Sequence, residues 1–498
     1  MIWILISCAA PLESSFEVDT IGLRRISLAI KGTLPTTEEY QRITENPSQI
    51  NVILEEYISS EWHERRLNGI FADWTKNRVD AFNISQEDYQ LPLSTEYNFL
   101  QSVGEETPRL MTYYATKDQD WRMVVQSPFT MANDMLLSLW PLEELGTEDE
   151  TWRKAKYTDG RPPLGILMNN GLWWRYYTTP NNFNRSRASV MAELFLCTDY
   201  RTRPISFEAT ALLEHEDFND TIQSNEACIG CHNTLDPLAA AFFGFWWYDI
   251  YDTAEMSRYH PEREFLGEDL LNINMAYFGI PMSSPAALGN LVAQDPRFTK
   301  CTTKRLHQAL AHTDKTTFSD EQHLHEVFAQ SDFRISALVK EIVQMPGFHT
   351  QENRILSAQQ LASSIEELTG FVWKKDDVLL LENDIIGYRK MLGGADGLEI
   401  TSPARQTSIS RQLTLKRLTQ KAAMYWATEQ EINGSLPTSL EDDLYQDLFI
   451  RIYGKPVSKD RKELDQSMFT QIQEEYSNTQ AWASLLSVWL RDPLFWSL

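Results

Sequence analysis

The 498-residue chain lacks a long hydrophobic run, an excess of positive charge and more than a handful of cysteines. Each lack excludes a class of protein. The longest apolar stretch, Leu238 to Tyr248, falls well short of the about 18 residues that cross a bilayer as a helix. Lysine and arginine number 45 against 70 aspartates and glutamates, a net charge of −25. So acidic a chain is repelled by phosphate backbones and anionic lipid, which argues against a nucleic-acid partner. Five cysteines are too sparse for a small disulfide scaffold. Hydrolase signatures are missing as well, with no G-x-S-x-G and no H-E-x-x-H; His63-Glu64 runs into Arg65 and Arg66, the pattern of a solvated helix face. What is there is 42% hydrophobic and 11% aromatic, enough for folded cores, and at about 150 residues per domain the length gives roughly three.

The few cysteines carry most of the information. Cys228-Ile229-Gly230-Cys231-His232 is the C-x-x-C-H pattern of covalent haem c, one haem in all. Two thioethers hold the vinyl carbons and the adjacent His supplies the proximal nitrogen to iron. At this chain's Cys and His frequencies a chance match is expected on the order of once per thousand such chains. Three other readings of the motif stay open. A thioredoxin-like pair requires a βαβ context that the flanks do not offer. A zinc site requires a second ligand pair. A simple disulfide leaves His232 without a role. Downstream, Asn233 to Pro237 reads as a polar turn, and Leu238 to Tyr248 suits either the apolar wall of a haem pocket or a buried core helix. For the distal position Met282 and Met275 are the candidates, with Met256 and His260 also within reach in sequence and an open position as the alternative.

The other cysteines point outward from the cytoplasm. Leu5-Ile6-Ser7-Cys8 resembles a lipobox, which makes Cys8 the expected lipidation site, with an unprocessed apolar tail as the alternative. Ala9 after it is compatible with sorting to the outer membrane. Haem c is attached outside the cytoplasm, where thiols oxidise, so a disulfide between Cys197 and Cys301 is a hypothesis against two free thiols.

The body reads as mainly α. Thr36 with Glu39, Ser357 with Gln360 and Thr438 with Glu441 have capping-box spacing. Leu361, Ile365 and Leu368 recur at helical spacing and stop at Gly370; Leu413, Leu415 and Leu418 follow Ser410 in the same way. Residues 141–163, acidic and then Pro162-Pro163, read as an exposed connector. A weak internal repeat sets Leu28 to Pro35 beside Ile450 to Pro456, and Ile342 to Phe348 beside Val488 to Phe495.

These residues, taken in order, resemble the planctomycete-type cytochrome c-like domain proteins, exported bacterial proteins with helical modules of unknown function. The likeness runs through Leu23 to Glu39, Asp120 to Asn133, Arg187 to Cys197, the motif with its Asp236-Pro237 tail, and Phe298 to Cys301. Ala239 and Ala188 stand where the family has glycine. The resemblance implies a multi-module helical protein: residues 1–16 a lipoprotein-type signal and linker, 17–119 an N-terminal helical module, 120–350 a central cytochrome c-like module binding haem through Cys228, Cys231 and His232, and 351–498 a C-terminal helical module.

Three functions compete on this reading. The first is electron transfer by a periplasmic or cell-surface protein, lipid-anchored at the outer membrane and serving an unidentified redox partner. The second is a surface protein that contacts glycans, with haem structural or absent, supported by Trp173-Trp174-Arg175-Tyr176-Tyr177 and the nearby asparagines. The third, a peroxidase-like enzyme, requires an open distal site.

Overall fold

Helices in this chain start where the sequence supplies a side-chain cap. The computed structural model describes residues 16–77, 82, 84–146, 151–202, 222, 226–313, 316–350, 355–375, 378–382 and 387–497. Cys8, the expected lipidation site, lies outside them. The fold is mainly α, 65% helix and 5% strand. Helix α1 (Thr20–Ile30) begins at Asp19, whose carboxylate accepts the Gly22 N–H at 2.7 Å. Gly32, at φ +75°, turns the chain towards α2 (Thr37–Glu45), which starts on the reciprocal box of Thr36 and Glu39. After α3 (Ile50–Ile58), Ser60 caps α4 (Glu61–Thr75) by accepting the His63 N–H at 3.2 Å. Helix α5 (Glu96–Thr116) packs along α4. His63 and Arg66, expected on a solvated face, are instead 2% and 5% exposed. The reason is that α4 lies beneath α1: His63 Nδ1 is 3.0 Å from the Ile30 carbonyl.

Residues 141–163 are not a plain connector. They hold two strands of a three-stranded antiparallel sheet, β1 (Thr130–Ala132), β2 (Leu142–Glu144) and β3 (Arg153–Tyr157), in the order β1-β3-β2. Met131 pairs with Lys154, and Glu143 with Lys156. The strand forms because Ala155 is fully buried, and Tyr157 donates to Glu106 at 2.7 Å, a fully buried carboxyl on α5.

Beyond the sheet come α6 (Asn170–Arg175), α7 (Arg185–Leu196), α8 (Glu226–Ala239), a short hairpin of β4 (Ala276–Tyr277) and β5 (Ile280–Pro281), and α9 (Pro296–Ala311). Helix α7 packs between α8 and α9, and β4 lies against α8. Then follow α10 (Ile335–Gln344), α11 (Pro346–Thr350) and α12 (Ala358–Thr369), the last opened by the Ser357–Gln360 box and closed by Gly370 at φ +72°. The C-terminal part holds α13 (Ile409–Ile432), α14 (Asp443–Tyr453), α15 (Lys459–Glu475), α16 (Asn478–Trp489) and α17 (Pro493–Trp496).

Two expectations for this last part fail. Thr438 and Glu441 form no capping box. Leu440 is drawn wholly into the core, so the chain turns there first, and Asp442 caps α14 by accepting the Leu444 N–H at 2.8 Å. Helix α13 starts from Ser408 rather than Ser410, which leaves Leu413 65% exposed while Leu415 and Leu418 are buried.

Two large apolar clusters organise the molecule. One runs from Leu23 to Phe348; the other gathers Ile355 to Trp496 together with Leu28 and Leu34. Residues 17–119 and 120–350 thus share one core, and the change of core falls after Phe348. Helix α1 belongs to both, since alternate faces carry Ile26 into the first and Leu28 into the second. Gly454, at φ +69°, closes α14, and Arg24 of α1 donates to the carbonyls of Ile452, Leu494 and Phe495. Among the described residues no helix is long and apolar enough to cross a membrane.

Candidate haem-attachment site

The C-x-x-C-H motif occupies the first turns of α8. On a helix, positions i, i+3 and i+4 share a face. Cys228, Cys231 and His232 therefore project together, and His232 and Asp236 stand one turn apart. Both cysteines are free thiols of intermediate exposure, and Cys231 packs against the first core. Among the described residues nothing lies within 4 Å of a side chain placed at Gly230, which is exposed. Residues 203–221 and 223–225, which precede the helix, lie outside those described.

The polar turn expected at Asn233 to Pro237 is helical, with Pro237 inside α8. A proline there removes one backbone donor. Helix continues because Leu235, Leu238 and Ala239, at 7%, 0% and 0% exposure, bury one helical face. The run that follows is filled core: Phe242 stacks edge-on to Trp173 at 4.9 Å and Phe245 to Tyr259 at 5.0 Å, and only its last residue, Tyr248, is exposed.

His232 is held by a relay that the motif alone does not announce. Its Nδ1 lies 2.7 Å from Asp236 Oδ1. Asp236 in turn accepts two hydrogen bonds from Arg185, the first residue of α7: Nε to Oδ1 at 2.9 Å and Nη2 to Oδ2 at 2.8 Å. Both side chains of this ion pair are 7% exposed. Burial works against the Asp236 charge, but the hydrogen bonds from His232 and Arg185 outweigh it and hold the carboxyl below its ordinary range. The carboxylate facing Nδ1 calls for a ring proton there, so in the neutral imidazole the lone pair lies on Nε2; Nε2 has no hydrogen-bond partner among the described residues. Two thiols, a tethered imidazole and a free Nε2 are the donor set that haem c requires, so these residues fit the group.

Helix α7 ties the site to the rest of the protein at both ends. Two residues after Arg185, Arg187 is fully buried, donates to the carbonyls of Phe245 and Tyr176 and sits 4.5 Å over the Trp247 ring. Burial alone lowers its pKa to about 9. At the other end, Cys197 in left-handed conformation closes α7 and is disulfide-bonded to Cys301 of α9.

The remaining candidates are placed as follows. Met275 and Met282 are 1% and 7% exposed in the first core and flank the β4–β5 hairpin, which packs on α8 through β4. Met256 is 3% exposed in the same core. Both His260 ring nitrogens are engaged, Nδ1 with Glu262 at 3.0 Å and Nε2 with the Glu255 carbonyl at 3.1 Å. Trp173 and Trp174 are interior, their indoles donating to the carbonyls of Leu167 and Met256, so they present no stacking face to a sugar.

Sequence reasoning missed Arg185 and the role of Asp236. The four-residue spacing from His232 to Asp236 was a usable signal on a helix. Arg185 gives none, because it is 51 residues away. No family model matches the sequence, and no curated protein and no solved structure is significantly similar to it.

Proposed function

We propose that this chain is an exported monohaem c-type protein that carries one electron, with haem bound through Cys228 and Cys231 and iron through Nε2 of His232. The observation that supports this best is the placement of His232: Nδ1 is tied to Asp236 at 2.7 Å, Nε2 has no partner among the described residues, and two thiols share its helical face. Cys228 and Cys231, which form no disulfide, would hold the haem through two thioethers, each S–H adding across one vinyl group with no leaving group. When bound, the haem supplies a one-electron iron couple. The chain's part is to hold the ring edge by two sulfurs, orient the imidazole, and shield one side of the motif with the core against which Cys231 packs.

Met275 or Met282 is the proposed distal ligand. Cys8 is the proposed lipid anchor, at the periplasmic or outer surface, and the net charge of −25 suits a basic redox partner. The test is a pyridine haemochrome spectrum of protein produced in a periplasm competent for haem c maturation. A c-type band is expected, and it disappears in the Cys228→Ala/Cys231→Ala double variant. A haem-free product, or covalent haem kept by the double variant, refutes the proposal.

A further inference from the structure

We infer that Asp236, clamped by Arg185, is the positioning residue that fixes His232 as a strongly basic Nε2 donor and thereby lowers the reduction potential of the iron. The inference rests on the haem reading above and adds to it what sets the potential. A buried ion pair is a costly device, since both charges lose water and the attraction between them often no more than offsets that loss. Here the pair does more than join α7 to α8. Arg185 spends its fork on both carboxylate oxygens, and Oδ1 still receives the imidazole, so three donors converge on one carboxylate.

Each member has a distinct part. Asp236 draws the Nδ1 proton, which raises electron density at Nε2 and strengthens it as a donor to the more highly charged ferric ion. The Arg185 guanidinium, bonded to both carboxylate oxygens, fixes Asp236 with Oδ1 turned to the ring nitrogen. Both side chains are nearly inaccessible, and in such surroundings the effect of one charge on a neighbouring ring is large. A purely structural clamp would hold the two helices together without choosing a tautomer or moving a potential.

Two measurements decide the matter. In the apoprotein, with histidines labelled with ¹⁵N at pH 8, His232 is expected as the single tautomer protonated at Nδ1. Asp236→Ala and Arg185→Met are each expected to give a mixture with the Nε2–H form. In the holoprotein, Asp236→Asn keeps an oxygen for the hydrogen bond but removes the charge. It is expected to shift the ferric/ferrous equilibrium about tenfold towards ferrous, which for one electron is about 59 mV upward. An Nε2–H tautomer in the parent protein overturns the proposal without any variant, so a misfolded Asp236→Asn does not protect it. An unchanged potential in a folded, haem-loaded Asp236→Asn also overturns it, and a single Nδ1–H tautomer in Arg185→Met removes Arg185 from it. A haem-free parent that shows the Nδ1–H tautomer refutes the haem reading and leaves the positioning of His232 standing.

Discussion

Acid should weaken this fold through one buried histidine. His63, 2% exposed between α4 and α1, lies with Nδ1 3.0 Å from the Ile30 carbonyl. Burial is the main cause that lowers its pKa from 6.5 to about 4; the Ile30 carbonyl opposes the shift and the positive charge of Arg66 adds to it. The unfolded chain therefore binds a proton at this site between pH 6.5 and 4 that the native state excludes. Stability rises with pH wherever the unfolded state holds more protons. The contribution of neutral His63 is thus complete above 6.5, falls as the pH drops, and is exhausted below about 4. The interval of 6.5 − 4 = 2.5 units, at about 1.36 kcal/mol per unit, makes the loss about 3 kcal/mol. His63→Asn places an amide N–H near the position of Nδ1 and does not titrate. Chemical denaturation of both proteins at several pH values between 7.5 and 4 isolates the term, because carboxylates titrate alike in the two and cancel in the difference. The parent's advantage is expected to shrink by about 3 kcal/mol across that range. A difference that stays constant to within about 0.5 kcal/mol refutes the reasoning, since it would mean that His63 is protonated equally in both states.

Two further outcomes follow from other buried contacts. Glu106 accepts from the Gly171 N–H at 2.7 Å, the Tyr157 hydroxyl at 2.7 Å and Thr130 Oγ1 at 2.8 Å while fully buried. Glu106→Ala strands these donors and is expected to cost about 3 kcal/mol or more in denaturant titration, whereas Glu106→Gln, which keeps an acceptor oxygen, costs less. The Cys197–Cys301 bridge closes a loop of 104 residues; the chain-entropy account gives about 4.7 kcal/mol for a loop of that size. Cys197→Ser/Cys301→Ser, or thiol reduction, is expected to lower the melting temperature by several degrees, and an unchanged melting curve would contradict the bridge.

Parts of the fold were legible in sequence because they are set by contacts within four residues. The boxes at Thr36–Glu39 and Ser357–Gln360 and the stop at Gly370 are of this kind. Local grammar failed where burial overrode it. Leu440 pulled the chain into the second core before Thr438 could cap anything, and His63 and Arg66 looked solvated until α1 covered them. Pro237 read as a turn, yet the buried face of α8 carries helix through it.

By itself the sequence determined a mainly helical chain and a C-x-x-C-H motif, because caps, helical periodicity and motif spacing are local properties; that the three side chains of the motif share one helical face came only with α8. Tertiary structure alone decided the rest of the site. Arg185 and Asp236 are 51 residues apart, Cys197 and Cys301 are 104 apart, and α1 serves two cores at once. No pattern along the chain encodes such pairs. They exist because packing α7 between α8 and α9 places one end of it against Asp236 and the other against Cys301.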